Sequence, residues 1–188
     1  MAMDAGGVAA ARPWVERAGA TFPTVVDAEN RLALAYDFRA VPNGIVLDAD
    51  QVVRFRKLGG FSCEHDDDRT AVTRLLRGEA LPAVTESATK PPDETAGLRR
   101  ELIETVWQLG LELRNRGAID EAAAAWRRAL RYDPNNFVIR KQIWALLHPE
   151  RFMEPIDYAW QQEQLARERA AEAAACGPSG CVLPPSSA

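Results

Sequence analysis

Residues 98–136 place one large and several small side chains where two predicted helices would cross closely. Trp126 is the largest of them, and small residues lie on both sides of it at helical spacing. The turn is predicted at residues 115–117, and the second helix ends before Pro134, because proline cannot continue a helix interior. The positions that define this packing are Gly110, Ala122, Trp126, Ala129 and Pro134. The pattern confines the segment to an antiparallel helical pair with a tight crossing.

This spacing resembles the tetratricopeptide repeat over residues 103–136, with Leu109 and Leu113 adding to the match on the first helix. The resemblance implies a helix–turn–helix unit that binds protein partners. One such repeat cannot bury its own apolar face, since roughly three are normally needed. We therefore expect capping helices at residues 137–147 and 155–175. Three further tryptophans, Trp107, Trp144 and Trp160, either line a peptide groove or belong to the core.

Residues 1–80 show a different pattern, in which short β-branched runs alternate with helical segments. Strands are predicted at residues 24–26, 45–47 and 52–56, and helices at residues 8–18, 28–36 and 66–77. Pro13 delays the regular start of the first helix to residues 10–12, and Asp27 caps the second. The last two strands form a hairpin that the chain enters through Val41 and Pro42. The result is an open α/β sheet with an unpaired edge, and such edges recruit partners.

This strand–helix–proline–hairpin order resembles the redoxin family of the thioredoxin-like superfamily, of the alkyl hydroperoxide reductase/thiol-specific antioxidant type. The resemblance implies an incomplete thioredoxin-like sheet with thiol–disulfide exchange or peroxide reduction as its chemistry. It also implies a cis bond between Val41 and Pro42, with the backbone of Val41 open to a cysteine-containing segment. A trans proline that opens an edge strand is the alternative. No cofactor is expected.

The motif that carries redoxin catalysis is missing, because no Cys-x-x-Cys occurs in the 188 residues. The sequence therefore predicts no catalytic residue at the family position. We expect a chain that begins after the strand–helix turn bearing those cysteines, hence an N-terminally truncated or degenerate thiol–disulfide oxidoreductase with a helical interaction module. The alternative is a non-catalytic tetratricopeptide interaction or scaffold protein.

Three cysteines remain as candidates for thiol chemistry. Cys176 and Cys181 enclose Gly-Pro-Ser-Gly, which permits a tight turn and a disulfide. Three interpretations of these two cysteines remain open: a redox-active pair, one half of a zinc site, or two thiols of an inert tail. No second Cys or His pair is obvious for zinc, so no metal site is predicted. Cys63 precedes an acidic helix entry and is an incidental thiol, or a partner of His65 in a dyad without an orienting third residue.

These observations divide the chain into four parts: residues 1–80 as the partial redoxin-like domain, 81–97 as a linker, 98–175 as the helical region and 176–188 as a cysteine-containing tail. The net charge of −4 argues against general binding to nucleic acid or anionic membranes. Without a run of about 18 apolar residues, no membrane-spanning helix is expected. We expect a protein partner at the helical repeat or the open sheet edge. Because the sequence contains no signal-peptide pattern, we expect a cytoplasmic protein, or an extracytoplasmic one if a longer N-terminus precedes these residues.

Overall fold

The computed structural model describes residues 1–79, 94–153, 155–177 and 180–181. Residues Met1–Leu147 form one compact unit and His148–Ala188 form a second. The described helices are α1 (Gly7–Arg17), α2 (Arg31–Ala35), α3 (Asp66–Leu76), α4 (Glu94–Asn115), α5 (Ile119–Tyr132), α6 (Phe137–Leu147) and α7 (Tyr158–Ala175), with a turn of 3₁₀ helix at Pro149–Phe152. The described strands are β1 (Gly44–Leu47), β2 (Val53–Lys57), β3 (Cys176–Gly177) and β4 (Gly180–Cys181). This order agrees with the predicted progression from a mixed α/β region to an all-α region.

Strands β1 and β2 form the predicted hairpin; β1 begins one residue earlier than predicted, and β2 is shifted by one residue. They pair antiparallel, with Gly44 opposite Lys57 and an irregular register between Val46 and Leu47. Asp48 shapes the turn, because its Oδ1 accepts hydrogen bonds from the N–H groups of Asp50 and Val52, each at 2.9 Å. The hairpin is therefore determined locally, by its alternating residues and by one turn carboxylate.

The predicted strand at residues 24–26 is wrong, and the described sheet that contains β1 has only two strands. Val26 makes a single parallel bridge to Ala2. The bridge does not lengthen because the chain turns immediately after Met3: Asp4 accepts hydrogen bonds from the N–H of Gly6 through its side chain and of Gly7 through its carbonyl. A ladder needs an extended partner, and none continues beside residues 24–26.

Helix α1 begins at Gly7, earlier than predicted, and includes Pro13 in its interior. The sequence prediction placed the start later because an interior proline leaves the carbonyl of Ala9 without its helical donor. Ala9 and Pro13 are both exposed. Water can therefore solvate that carbonyl, which reduces the penalty that the prediction assumed.

Helix α2 is shorter than predicted, although Asp27 caps it as expected. The Asp27 carboxylate accepts hydrogen bonds from the N–H groups of Arg31, Leu32 and Ala33. Asn30 has a left-handed backbone with φ of 60°, so the helix cannot begin at residue 28. Within α2, Ala33 is buried and Leu32 is exposed.

The N-terminal segment and the helices α4, α5 and α6 share one hydrophobic core. Ala5 is buried in the cluster that these helices form, and Met3 and Leu34 pack against it. The N–H of Ala5 donates to Gln142 Oε1 at 2.9 Å, and its carbonyl accepts from Arg114 Nη1 at 3.1 Å. The sequence suggested two separate regions. They join because a single helical pair leaves an apolar face that the N-terminal segment can cover.

Helix α4 begins at Glu94, so the last residues of the predicted linker, 94–97, are helical; residues 80–93 lie outside the described residues. Helix α7 begins at Tyr158, where Asp157 Oδ1 accepts the N–H of Trp160 at 2.9 Å and so acts as its cap. Within the described parts of the chain, no helix has the length and apolar character needed to cross a membrane.

Candidate functional site

Val41 lies at the surface, with 51% of its area exposed. Its peptide bond to Pro42 is cis, as expected from the sequence. Among the described residues, neither the N–H nor the carbonyl of Val41 has a hydrogen-bond partner. The segment therefore presents one free main-chain donor and one free acceptor to an approaching extended chain.

Asn43 holds the segment from behind, a role that the sequence reasoning did not assign. Its Nδ2 donates to the carbonyl of Ala40 at 2.6 Å, and its Oδ1 accepts the N–H of Gly59 at 2.7 Å. The N–H of Phe61 donates to the carbonyl of Pro42 at 3.2 Å. These bonds connect both sides of Val41 to the loop that follows β2. The position of Asn43 directly after Pro42 could have indicated this role, since Asn side chains commonly form hydrogen bonds to nearby backbone in turns.

Gly44 permits this close approach of the two loops. A Cβ at residue 44 would collide with the ring of Phe61. That ring packs edge-on against Phe55, with centroids 6.0 Å apart and an interplanar angle of 64°, an arrangement that aromatic pairs favour. The loop that follows β2 is thus fixed to the hairpin by aromatic packing as well as by hydrogen bonds.

Asp68 is the buried polar centre beneath this loop. Both of its carboxylate oxygens lie 2.8 Å from Lys57 Nζ, and Oδ2 accepts the N–H of Ser62 at 3.1 Å. The Lys57 ammonium and then the Ser62 N–H hold the pKa of Asp68 below its ordinary value of 3.8. From the sequence, Asp68 is only one of the acidic residues at the entry of the helix predicted at residues 66–77. Its helical spacing with Val72 and Leu75, which are half-buried, was the signal that it points inward.

The neighbourhood of Asp68 also changes the interpretation of His65 and Cys63. His65 Nδ1 lies 3.4 Å from Asp68 Oδ2, so the structure supplies an orienting carboxylate that the sequence analysis did not identify. Cys63 is exposed and makes no hydrogen bond through its sulfur among the described residues; its carbonyl accepts from Arg69 Nη1 at 3.4 Å. The geometry therefore connects His65 to Asp68 and leaves Cys63 outside any dyad with His65.

The residues of the helical pair occupy the positions that the sequence predicted. A Cβ at Gly110 would collide with the indole of Trp126, and Ala122 and Ala129 are fully buried. Trp126 Nε1 donates to the carbonyl of Trp107 at 3.1 Å, and the two indole rings stack with centroids 4.7 Å apart. Small residues thus bring α4 and α5 together around one large side chain, and Pro134 follows the end of α5.

Trp107 and Trp144 differ from Trp160 in their exposure. Trp107 and Trp144 are buried in the first unit, where they serve as core. Trp160, in the second unit, is half-buried; its ring meets His148 edge-on at 5.0 Å, with the Arg151 guanidinium 5.8 Å from the ring centroid. The groove alternative is therefore not supported for Trp107 and Trp144.

The tail cysteines face each other in the backbone. Cys176 pairs with Cys181 and Gly177 with Gly180 in the antiparallel β3–β4 ladder. The side chains of these residues, and residues 178–179 and 182–188 entirely, lie outside what is described. The pairing places the two cysteines at directly opposed backbone positions, whereas the tight turn predicted between them falls on residues 178–179, outside the described residues.

The described ranges contain no group of three His, Cys, Asp or Glu side chains that could hold a metal ion. Comparison with known proteins finds no match among family models, curated proteins or solved structures. The features that bear on function are therefore the geometry of the segment around Val41 and the packing of the helical pair.

Proposed function

We propose that this chain is a degenerate thioredoxin-like protein of the redoxin type, which binds an extended, cysteine-containing polypeptide at Val41 and contacts partners through its tetratricopeptide-type helices. The observation that carries the proposal is the surface position of Val41, whose N–H and carbonyl have no partner among the described residues. A held segment with free donor and acceptor groups is a template for β-type pairing with a peptide. Asn43 supplies the rigidity, since its side chain bonds to the carbonyl of Ala40 and to the N–H of Gly59 in the loop that follows β2.

The redoxin resemblance adds the chemistry of the bound segment. In that family the residue before the proline pairs with a stretch of chain that carries a cysteine. The thiols available for exchange here are Cys176 and Cys181, whose backbones pair directly. One thiolate would attack a substrate disulfide and release one substrate thiolate. The other thiolate would then attack the protein sulfur of this mixed disulfide and release the second substrate thiolate, so that Cys176 and Cys181 end joined in a disulfide and the substrate is reduced by two electrons.

Peptide titration of the ¹⁵N-labelled full chain tests the binding step. The probe is a short extended peptide with one alkylated cysteine, and its matched control is the same peptide with the cysteine backbone N-methylated. We expect the Val41 amide to shift with the first peptide, and affinity to fall about tenfold or more with the second, since one main-chain hydrogen bond is lost. Equal binding of both peptides, or shifts confined to other regions, would overturn the proposal.

A second candidate function is a scaffold that works only through its helices. The observation that favours it is the exposed side of α4, where Leu98 is 69% and Leu109 is 47% exposed. Their spacing of about three helical turns places them on one face. The double variant Leu98→Lys, Leu109→Lys distinguishes the candidates: binding by the redoxin-type loop survives it, whereas binding by the scaffold face is lost.

A further inference from the structure

The loop that carries Val41 is attached to the first turn of α6. The carbonyl of Arg39 accepts the N–H of Phe137 at 2.6 Å and the N–H of Val138 at 3.3 Å. The first N–H groups of a helix have no acceptor within the helix, and the helix N-terminus carries partial positive charge. A main-chain carbonyl from a distant part of the sequence therefore caps α6.

The side chain of Arg39 contacts the same region. Its Nε lies 3.4 Å from Asp133 Oδ2 and 3.2 Å from Asp37 Oδ1. Asp133 is itself held, because Asn136 Nδ2 donates to its Oδ2 at 3.2 Å. The oxygen of the same Asn136 side chain accepts the N–H of Ile139 at 3.1 Å. Both the backbone and the side chain of Arg39 are thus joined to the turn between α5 and α6.

This attachment lies next to the proposed binding segment. Only Ala40 separates Arg39 from Val41, and the carbonyl of Ala40 is already held by Asn43. The position of Val41 is therefore determined from two sides. Asn43 connects it to the loop after β2, and Arg39 connects it to the turn between α5 and α6. Without the α6 contact, the segment before Val41 would keep its attachment on one side only.

We propose that the turn at residues 133–138 positions the main chain of Val41, with Arg39 as the positioning residue that transmits its location. The inference rests on the proposed function for its consequence, which is that a change at the end of the helical pair alters peptide binding at Val41. Such coupling is reciprocal, so a bound peptide stabilises the α5–α6 turn by the same factor.

The variant Phe137→Pro tests the attachment, with Phe137→Ala as its matched control. Proline is well tolerated at the first position of a helix, where its missing N–H has no helical acceptor. Relative to alanine, the proline variant therefore removes the donor to Arg39 and leaves α6 able to form. Amide hydrogen exchange at Gly59 and Phe61, whose N–H groups bond to Asn43 and Pro42, reports the order of the loop without any peptide.

We expect exchange at Gly59 and Phe61 to be about tenfold faster in Phe137→Pro than in Phe137→Ala, with exchange at Trp126 equal in both. Peptide affinity should fall by a similar factor. Equal exchange in the two variants would overturn the inference. If wild type fails to bind the peptide while the exchange difference is present, the proposed function fails and the attachment stands.

A second variant covers the case in which Phe137→Pro does not fold. Asp133→Asn removes the ion pair with Arg39 and keeps a side chain of the same size beside Asn136. We expect it to raise exchange at Gly59 and Phe61 about threefold, in line with a partly exposed ion pair. Unchanged exchange in Asp133→Asn, with Phe137→Pro unfolded, would count against the inference.

Discussion

Gly110 and Trp126 meet at the crossing of α4 and α5, with the indole ring occupying the space that any side chain at residue 110 would need. The same ring donates its Nε1 hydrogen bond to the backbone of α4 at Trp107. Interhelical distance, ring position and hydrogen bond therefore depend on one another. This junction lies in the core that also holds Ala5 of the N-terminal segment.

Replacing Gly110 with alanine should destabilise the fold. The added Cβ forces the indole of Trp126 or the helix backbone to move, and overpacking of this kind typically costs about 1–3 kcal/mol. Gly97→Ala is the matched control in the same helix, because a Cβ there meets nothing within 4 Å. The control should gain about 0.5–1 kcal/mol from helix propensity. Urea unfolding of both variants measures the difference; similar stabilities would contradict the close crossing.

The two stacked tryptophans should respond differently to phenylalanine. Trp126→Phe removes a buried hydrogen bond, whereas Trp107→Phe removes an indole N–H that has no partner among the described residues. Since a buried unsatisfied donor carries a penalty of about 1–3 kcal/mol, Trp126→Phe should be the more destabilising by about that amount. Thermal unfolding of the pair decides the matter, and the reverse order would show that Trp107 has a partner.

Asp68→Asn should lower stability at neutral pH, with less effect in acid. Its pKa is lowered mainly by the Lys57 hydrogen bond, so the carboxylate stabilises the folded chain above its ordinary pKa of 3.8. That contribution is lost as the pH falls through the lowered pKa. Asp67→Asn, an exposed change in the same helical turn, is the control and should behave like wild type. Melting temperatures between pH 3 and 7 test this; a gap that does not narrow in acid would refute it.

Mild oxidation should consume Cys176 and Cys181 together and leave Cys63 as a free thiol. The two tail cysteines are opposed in the β3–β4 ladder, so they close a small loop with little loss of backbone entropy. Cys63 is exposed and has no cysteine near it in sequence. Peptide mapping by mass spectrometry after oxidation identifies the linkage. A dominant cross-link between Cys63 and either tail cysteine would contradict this expectation.

The chain should show little or no disulfide reductase or peroxidase turnover. Efficient exchange needs an activated thiolate beside a resolving thiol, and the sequence contains no Cys-x-x-Cys. An insulin-reduction assay measures the rate, with Cys176→Ser, Cys181→Ser as the comparison for any residual activity. Turnover comparable to that of an ordinary thioredoxin would contradict this expectation, and its loss in the double-serine variant would assign it to Cys176 and Cys181.

Elements defined by nearby residues could be predicted from the sequence. The β1–β2 hairpin depends on alternation and on the Asp48 turn, and the cap of α2 depends on Asp27. The helical pair could be predicted because a small residue at Gly110 and a large one at Trp126 indicate that the two helices cross closely. In each case the interacting groups lie within one or two elements, so composition and spacing contain the physical information.

The long-range arrangement was decided only in the tertiary structure. Residues 24–26 have the composition of a strand but lack an extended partner, and no local pattern reveals whether a partner continues beside them. Local sequence also does not show which of the three consecutive aspartates at residues 66–68 is buried. Nor does it show that the carbonyl of Arg39 caps α6. Any backbone carbonyl can serve as such a cap, since the acceptor is identical in every residue. The sequence thus determines the hairpin, the cap of α2 and the helical pair, while packing between distant segments determines that residues 24–26 form no strand and how Val41 is held.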